Sequence, residues 1–218
     1  MAEHGTIWPG PTEWGPTIGV GPWPGPWPDD DRYDPELLGG GDRRNVVDAY
    51  RYWRREAVVE ALDARRHPVH VAIENFGHDH NIGTVVRTAN AFAVAEVHIV
   101  GRRRWNRRGA MVTDRYQHLR HHDGIAELLT HAAAEELTVV AVDNSPGALR
   151  LETASLPRRC LLLFGQEGPG LTTDARKGAA MTVSIAQFGS TRSINAGVAA
   201  GIAMHAWIRQ HADLGTAW

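Results

Sequence analysis

The chain has 218 residues, of which 43% are hydrophobic and 22% charged, and its formal net charge is −2, a composition typical of globular proteins. It has no run of about 18 apolar residues and no basic stretch followed by an apolar one, which excludes a transmembrane helix and a secretory signal. A single cysteine, Cys160, excludes an intramolecular disulfide and a cysteine-based zinc cluster. We therefore expect a cytoplasmic protein without a membrane partner.

Acidic and basic residues are separated along the chain. Residues 1–36 contain one basic residue, Arg32, among seven acidic ones, whereas residues 102–122 contain seven arginines and one acidic residue, Asp114. A chain that is nearly neutral in sum but polarised by segment can bind a polyanion through one face. The charge pattern therefore predicts an anionic partner for the arginine-rich segment.

The N-terminal region divides into two segments of different composition. Residues 1–41 are rich in Pro, Gly and Trp, which favours either a disordered tail or an extended arm that docks through its tryptophans. From Asp42, a candidate N-cap, apolar residues recur at helical spacing to about residue 66. We predict an arm over 1–41 and an amphipathic helix as an extension over 42–68.

Residues 69–218 alternate between short apolar runs and helical stretches, and form the predicted main domain. The runs predict strands at 69–73, 95–100, 138–142, 160–164 and 181–185, and the stretches between them predict helices at about 82–92, 124–136, 171–178 and 194–211. Strands separated by helices indicate an α/β fold with a mostly parallel sheet flanked by helices. Cys160 begins one apolar run and is predicted to lie in the core.

Three polar segments follow predicted strands. They are 75–92 (NFGHDHNIGTVVRTANAF), 164–171 (FGQEGPGL) and 185–201 (IAQFGSTRSINAGVAAG). Because ligands of parallel sheets bind at the carboxyl ends of the strands, we expect these segments to converge on one pocket. The chain lacks the phosphate-binding motif G-x-x-x-x-G-K-[ST] and has no G-x-G-x-x-G after the first strand, so an ordinary ATP or dinucleotide site is not predicted.

The stretches NIGTVVRTA, FGQEGPGL and SINAGVAAG, in this order, resemble the three motifs of the SpoU (TrmH-like) RNA 2′-O-ribose methyltransferases of the SPOUT superfamily. The resemblance covers residues 69–212. It implies a C-terminal deep trefoil knot, S-adenosylmethionine as the cofactor, an RNA substrate (tRNA or rRNA) and a homodimer. We expect the last helix, with Trp207 and Ile208, to form part of the dimer interface.

The resemblance also implies roles for individual residues. Arg87 matches the catalytic arginine of the family, and the supporting motif residues are Asn81, Glu167, Ser193 and Asn195. The cofactor contacts carry over to Gly165, Ile185 and Ile194, and Gly165 and Gly189 are expected where the backbone turns sharply near the ligand. Since the pKa of arginine exceeds about 12, we interpret Arg87 as a group that holds a phosphate and polarises the ribose hydroxyl.

The arginine-rich segment after the second predicted strand is a candidate RNA contact. Guanidinium groups pair with phosphates, and an aromatic face can stack on an unpaired base. The predicted RNA-binding residues are Arg102, Arg103, Arg104, Trp105, Arg107 and Arg108.

Histidines raise the question of a metal site. The candidate ligands are His67, His70, His78, His80, His118, His121 and His122. His78-Asp79-His80 is too short to supply the three or four protein ligands that zinc needs, and methyl transfer needs no metal. We therefore expect no metal.

Three function classes are considered for these patterns, of which a small-molecule nucleotide enzyme with an ordinary doubly wound sheet is disfavoured by the arginine-rich segment and the missing phosphate-binding motifs. The leading hypothesis is a methyltransferase that acts on the 2′-hydroxyl of a ribose in RNA. The alternative is a catalytically silent RNA-binding protein with the same knotted fold, against which the joint presence of Arg87, Glu167 and Asn195 argues.

Overall fold

A parallel sheet forms the centre of the α/β part of the chain in this computed structural model, which describes residues 19–75, 77 and 81–216. The chain divides into an N-terminal unit that ends at Val58 and an α/β unit that begins at Val59. The sequence placed the start of this domain at residue 69. The structure therefore assigns ten more residues to it, including the end of a helix.

The described strands of the sheet are all parallel to their neighbours. They are β1 (Val69–Asn75), β2 (Val97–Gly101), β3 (Leu119–His122), β4 (Thr138–Val142), β5 (Leu149–Arg150), β6 (Cys160–Phe164) and β7 (Met181–Ser184). Their spatial order is β3-β2-β1-β6-β4-β7-β5. The predicted mostly parallel α/β fold is confirmed. The sequence missed β3 and β5 because these edge strands are short and polar.

Two of the described helices precede the first strand, and the four that follow it cover both faces of the sheet. The helices are α1 (Pro35–Gly40), α2 (Arg55–Asp63), α3 (Ile82–Ala91), α4 (Ile125–Ala134), α5 (Thr173–Gly178) and α6 (Ala196–His211). From α3 onward they match the predicted helices to within a few residues. Over the described part of the chain, none of them combines the length and the apolar character that crossing a membrane requires.

The two faces of the sheet have separate apolar cores. Alternate residues of a strand point to opposite faces, so Ile73 packs with α3 and α6, whereas Ala72 packs with α4 and α5. The central strand β6 is buried along its whole length. Cys160 lies in this strand, as predicted, and its burial raises the pKa of the thiol to about 12. A reactive thiol is therefore not available here.

Helix α6 directs its largest apolar side chain into its own chain. Trp207 is fully buried in the core, and its indole N–H donates to the Pro157 carbonyl at 3.1 Å. Ala200 and Ala203 are buried with it. The expectation that Trp207 offers apolar area to a second subunit is therefore wrong, because that area is already covered.

The N-terminal unit is organised around packed aromatic rings. Trp23 meets Tyr33 and Tyr52 edge-on, with ring centroids 5.8 and 5.3 Å apart. The Tyr52 hydroxyl donates to the Gly21 carbonyl at 2.6 Å. Of the two alternatives for the arm, these contacts support docking for the described residues from 19 onward, and the surface on which Trp23 docks belongs to the same unit.

The predicted helix from Asp42 to about residue 66 is wrong in its extent, since α2 begins only at Arg55. Asp42 is not a cap: its buried carboxylate accepts from the Arg44 guanidinium at 2.7 Å and from the Tyr52 backbone N–H at 2.9 Å. Burial raises the pKa of Asp42, but these hydrogen bonds outweigh it and the pKa is lowered overall. Tyr52 has a φ of 62°, a left-handed conformation that interrupts a helix.

The predicted extended arm is also wrong over residues 35–40, which form α1. Asp34 caps this helix by accepting a backbone N–H at 2.9 Å, and Leu38 is buried beneath it. Pro35 is compatible with the helix because the first helical position needs no N–H donor. The first part of the arm, residues 1–18 with Trp8 and Trp14, lies outside the described residues.

Candidate active site

A pocket with a volume of about 600 Å³ lies at the carboxyl edge of the sheet. Strands β4, β6 and β7 each end at it, and the loops that follow them form its walls. The lining residues fall in 142–144, 164–171, 185–187 and 192–199. Two of the three polar segments therefore line one pocket, and the third lies outside the lining but is joined to it because Asn81 accepts a hydrogen bond from the lining residue Asn195.

Gly165 begins a tightly folded loop between β6 and α5. A Cβ at this position would lie 2.2 Å from the carbonyl carbon of Gly170 and from the backbone nitrogen of Leu171. Gln166 and Gly170 close the loop with two backbone hydrogen bonds, of 3.3 and 3.1 Å. Glycine is needed at 165 because the loop approaches its own backbone there.

Asn195 joins residues from all three motifs. Its side-chain NH₂ donates to Asn81 Oδ1 at 2.8 Å and to the Glu167 carboxylate through a short hydrogen bond. Its Oδ1 accepts the Val198 N–H at 3.2 Å and so caps α6. Both amide hydrogens and the amide oxygen are thus used. This arrangement fixes the start of α6, the start of α3 and the loop after β6 relative to one another.

Asn81 stands at the N-terminus of α3 but does not cap it with its side chain. Its Oδ1 accepts from Asn195 instead. Ser193, Ile185 and Ile194 line the pocket, as the resemblance implies. The preceding residues His78, Asp79 and His80 lie outside the described residues.

Gly189 does not belong to the pocket in the structure. It is exposed, it is absent from the lining, and a Cβ at this position would have no neighbour within 4 Å. Neither a sharp turn nor a close approach requires glycine here. The expectation that Gly189 contacts the cofactor is not supported by its surroundings.

Arg87 lies on an exposed part of α3, outside the pocket lining. It has no hydrogen bond or ion pair with another described residue, so its guanidinium is available to a ligand. One turn earlier, Thr84 packs against α6, where a Cβ built on Gly197 would lie 3.2 Å from the Thr84 methyl group. This contact places the helix that carries Arg87 against the helix that Asn195 caps.

The sequence interpretation missed polar residues that follow β4. Asp143 and Asn144 line the pocket, and the Asn144 amide donates to the Arg192 carbonyl at 3.1 Å, which links this loop to the segment before α6. The signal was present, because two polar residues directly follow the apolar run TVVAV. It is weaker than that of the other segments because these two residues belong to none of the three motifs.

Glu74 is a second missed residue, buried at the end of β1. Its carboxylate accepts from the Thr172 backbone N–H at 2.9 Å and from the Thr172 hydroxyl at 2.6 Å. Burial raises the pKa of Glu74, and the hydrogen bonds from Thr172 oppose this effect only in part. The contact holds the end of the Gly165 loop against the sheet.

The arginine-rich segment is attached to the same edge of the sheet. The buried Asn75 side chain donates to the carbonyls of Arg102 at 2.7 Å and Arg104 at 3.1 Å. Further on, a Cβ on Gly83 would lie 2.7 Å from Gly109, so the segment packs closely against α3. The predicted RNA-binding arginines, at 102, 103, 104, 107 and 108, are all exposed.

Trp105 differs from the expectation of an open stacking face. It is half-buried and packs against the apolar core, and the Arg107 guanidinium lies 5.6 Å from its ring centroid. Arg107 also pairs with Asp114 at 3.2 Å. The ring therefore anchors the segment to the domain, and the arginines form its outer surface.

Comparison with known proteins agrees with this arrangement. Residues 68–205 match the model of the SpoU rRNA Methylase family. The match covers the α/β unit from the start of β1 to the middle of α6, and it contains the three motifs that meet at Asn195. The chain belongs to the SpoU rRNA Methylase family.

Individual relatives share less than a third of their aligned residues with this chain. The chain is 27% identical over 165 residues to tRNA (guanosine(18)-2′-O)-methyltransferase of Escherichia coli K12, which covers 74% of this chain and 72% of that protein. The crystal structure of the A. aeolicus TrmH/SpoU tRNA modifying enzyme matches with a TM-score of 0.64 and 22% identity. The match covers 72% of this chain and 82% of that chain. The SpoU methyltransferase AviRb of Streptomyces viridochromogenes, solved in complex with AdoMet, matches with a TM-score of 0.61 and 23% identity. The match covers 66% of this chain and 58% of that chain.

Proposed function

We propose that this protein transfers a methyl group from S-adenosylmethionine to the 2′-hydroxyl of a ribose in RNA. The observation that carries the proposal is the hydrogen-bonded group of Asn81, Glu167 and Asn195 beside the pocket, since it unites the three family motifs. A tRNA substrate is supported by the name of the E. coli relative. A cytoplasmic location is part of the same proposal, because that is where such an RNA is found.

The residues of the pocket fit S-adenosylmethionine. Ile185, Ile194 and Leu171 offer apolar surface for an adenine ring, and the Asp143 and Glu167 carboxylates provide negative charge. A volume of about 600 Å³ lies within the range of about 300–1,000 Å³ usual for small-molecule sites. When bound, S-adenosylmethionine would supply an electrophilic methyl group on a positively charged sulfur.

The protein contributes orientation and charge to such a reaction. Displacement at a methyl group requires the attacking oxygen to be aligned with the bond that breaks, so positioning accounts for much of the rate. Asn195 fixes the Glu167 carboxylate at the pocket. Arg87, exposed and without a described partner, binds the phosphate next to the reacting ribose and donates a hydrogen bond that polarises the hydroxyl.

We further propose that the protein is a homodimer and that its C-terminal part forms the trefoil knot of its family. The exposed face of α6 supports the dimer, because Val198 is 53% and Ile202 40% exposed although both are apolar. This face replaces the buried Trp207 as the candidate contact. The knot is supported by membership of the family.

The test is an assay with labelled S-adenosylmethionine and separate tRNA and rRNA transcripts, followed by mass spectrometry of the nucleosides. We expect a 2′-O-methylnucleoside from tRNA. Arg87→Ala should reduce the single-turnover rate by about 100- to 1,000-fold, as removal of one transition-state donor does, while calorimetry shows unchanged affinity for S-adenosylmethionine.

Arg158→Ala is the matched control, because Arg158 is exposed and its guanidinium contacts only the His211 carbonyl among the described residues. It should keep the wild-type rate. Methylation of a base instead of a ribose, or no product from either RNA, would overturn the proposed reaction. A normal rate in Arg87→Ala would overturn the role of Arg87 alone.

A further inference from the structure

A cluster of histidines lies on the α4 face of the sheet, away from the pocket. His70 and His98 are each the second residue of a strand, on β1 and β2, and His122 ends the neighbouring β3. His98 and His122 are on the same face because Val100 stands beside His122 in the strand register and points the same way as His98. The chain thus brings distant histidines together through the pairing of three strands.

The rings of this cluster are in direct contact. His70 Nδ1 lies 2.9 Å from His98 Nε2, and His98 Nδ1 lies 2.9 Å from His122 Nε2. His98 is fully buried. Its burial lowers its pKa to about 2, and burial lowers the pKa of His70 to about 4.

Two further groups face His98 from outside the strands. Glu96 precedes β2, and its Oε2 lies 3.7 Å from His98 Nε2. His131, on α4, places its Nε2 3.9 Å from the same carboxylate oxygen. This His131 nitrogen is buried and has no hydrogen-bond partner. A buried polar atom without a partner is rare and calls for a ligand.

We propose that His70, Glu96, His98 and His131 bind a divalent transition-metal ion, with zinc as the best fit. In a tetrahedral zinc site with bonds of about 2.0–2.1 Å, neighbouring donor atoms are about 3.3 Å apart. The donor atoms of His70, Glu96 and His98 all lie within 4.8 Å of one another, with His70–His98 at 2.9 Å and Glu96–His98 at 3.7 Å, and His131 Nε2 lies 3.9 Å from Glu96 Oε2. Imidazole nitrogens with one carboxylate oxygen are a donor set that zinc accepts.

The surroundings supply the outer contacts that metal ligands require. A ligating histidine usually donates its other ring N–H to a neighbour, which fixes its orientation. His98 Nδ1 has this partner in His122 Nε2. The Arg120 guanidinium donates to Glu96 Oε2 at 3.0 Å and holds the carboxylate in place. The metal therefore links β1, β2 and α4. Because the pocket lies at the opposite edge of the sheet, we expect the metal to stabilise the fold and to take no part in catalysis.

The test begins with the wild-type protein. After purification from zinc-supplemented cells, we expect one zinc per chain by elemental mass spectrometry. After zinc is removed, titration with Co²⁺ should give the visible absorption of a tetrahedral site, and EDTA should lower the unfolding temperature. Neither measurement depends on methyl transfer, so the result is separate from the proposed function.

The variants Glu96→Gln and His131→Gln locate the site. Each removes one ligand. Loss of a residue that only supports a ligand typically weakens metal binding about 10- to 100-fold, and we expect the loss of Co²⁺ affinity in these variants to be larger. The matched control is His118→Gln, since His118 is exposed and pairs with Asp63 at 2.8 Å. It should bind Co²⁺ as the wild type does.

Two results would overturn the proposal. One is a wild-type protein that takes up no zinc and gives no Co²⁺ spectrum, in which case the histidines form a neutral hydrogen-bonded stack. The other is wild-type Co²⁺ affinity in both Glu96→Gln and His131→Gln, which would place the metal elsewhere in the chain. If one ligand variant fails to fold, the other and the wild-type spectrum decide the question.

Discussion

The pocket at the carboxyl edge of the parallel sheet and the histidine cluster carry polar residues in opposite environments. At the carboxyl edge, Asn195 and Glu167 meet in an open pocket and are exposed. Toward the amino edge, His98 is fully buried and faces other histidines. Polar groups that remain in contact with water can reorganise around a large ligand. Buried ones must be satisfied by the protein or by an ion.

This difference has an energetic consequence. Hydrogen bonds at the exposed edge are made in competition with water, so each contributes about 0.5–1.5 kcal/mol to stability. A buried group left without its partner costs more, about 1–3 kcal/mol. We therefore expect substitutions of the exposed polar residues in the pocket to change function with little loss of stability, and substitutions of the buried histidines to do the reverse.

The largest effect is expected from His98→Ala. It removes a fully buried ring and leaves His70 Nδ1 and His122 Nε2 without their present partner. The free energy of unfolding should fall by about 3 kcal/mol, the sum of a cavity and unsatisfied groups. Denaturant unfolding in EDTA measures this cost without a metal, and the turnover number of the folded fraction should stay normal. Unchanged stability would contradict the contrast between the two regions.

Gly165→Ala should act at the other edge. The added Cβ would lie 2.2 Å from backbone atoms of the same loop, so the loop must open, at a cost of about 1–3 kcal/mol that is typical of overpacking. Affinity for S-adenosylmethionine, measured by calorimetry, should fall about 100-fold, which corresponds to about 2.7 kcal/mol. Gly189→Ala is the control, because that position is surrounded by open space. Equal loss in both variants would refute the explanation.

The smallest effect is expected from replacing Arg102, Arg103 and Arg104 together by alanine. These side chains are exposed, so stability should be unchanged. RNA affinity should fall, and the slope of log K against log salt should decrease by about 0.7–0.9 for each phosphate that the variant no longer neutralises. The control replaces Arg158 and Arg159, which are exposed and precede β6 at the amino edge. An unchanged slope in the triple variant would remove this segment from the RNA-binding surface.

The sequence alone determined the α/β architecture and the location of the pocket. A short, continuous apolar run such as CLLLF predicts a buried strand from its own residues, without knowledge of its partners in the sheet. The carboxyl ends of parallel strands then meet at one edge, which brings motif residues such as Glu167 and Asn195 together without further information. Local patterns were sufficient here because each element follows from its own residues.

Tertiary structure alone decided the features that depend on residues far apart in the chain. Asp42 has the local signature of a helix cap, but a partner ten residues later, the Tyr52 N–H, uses its carboxylate. Trp207 has a large apolar side chain, which suggests an interface residue, but the core of its own chain already buries it. The expectation of no metal considered only the short group His78-Asp79-His80, because His70 and His122 are 52 positions apart in the sequence. Strand pairing places both against His98, because contacts across a sheet are set by register and not by sequence distance.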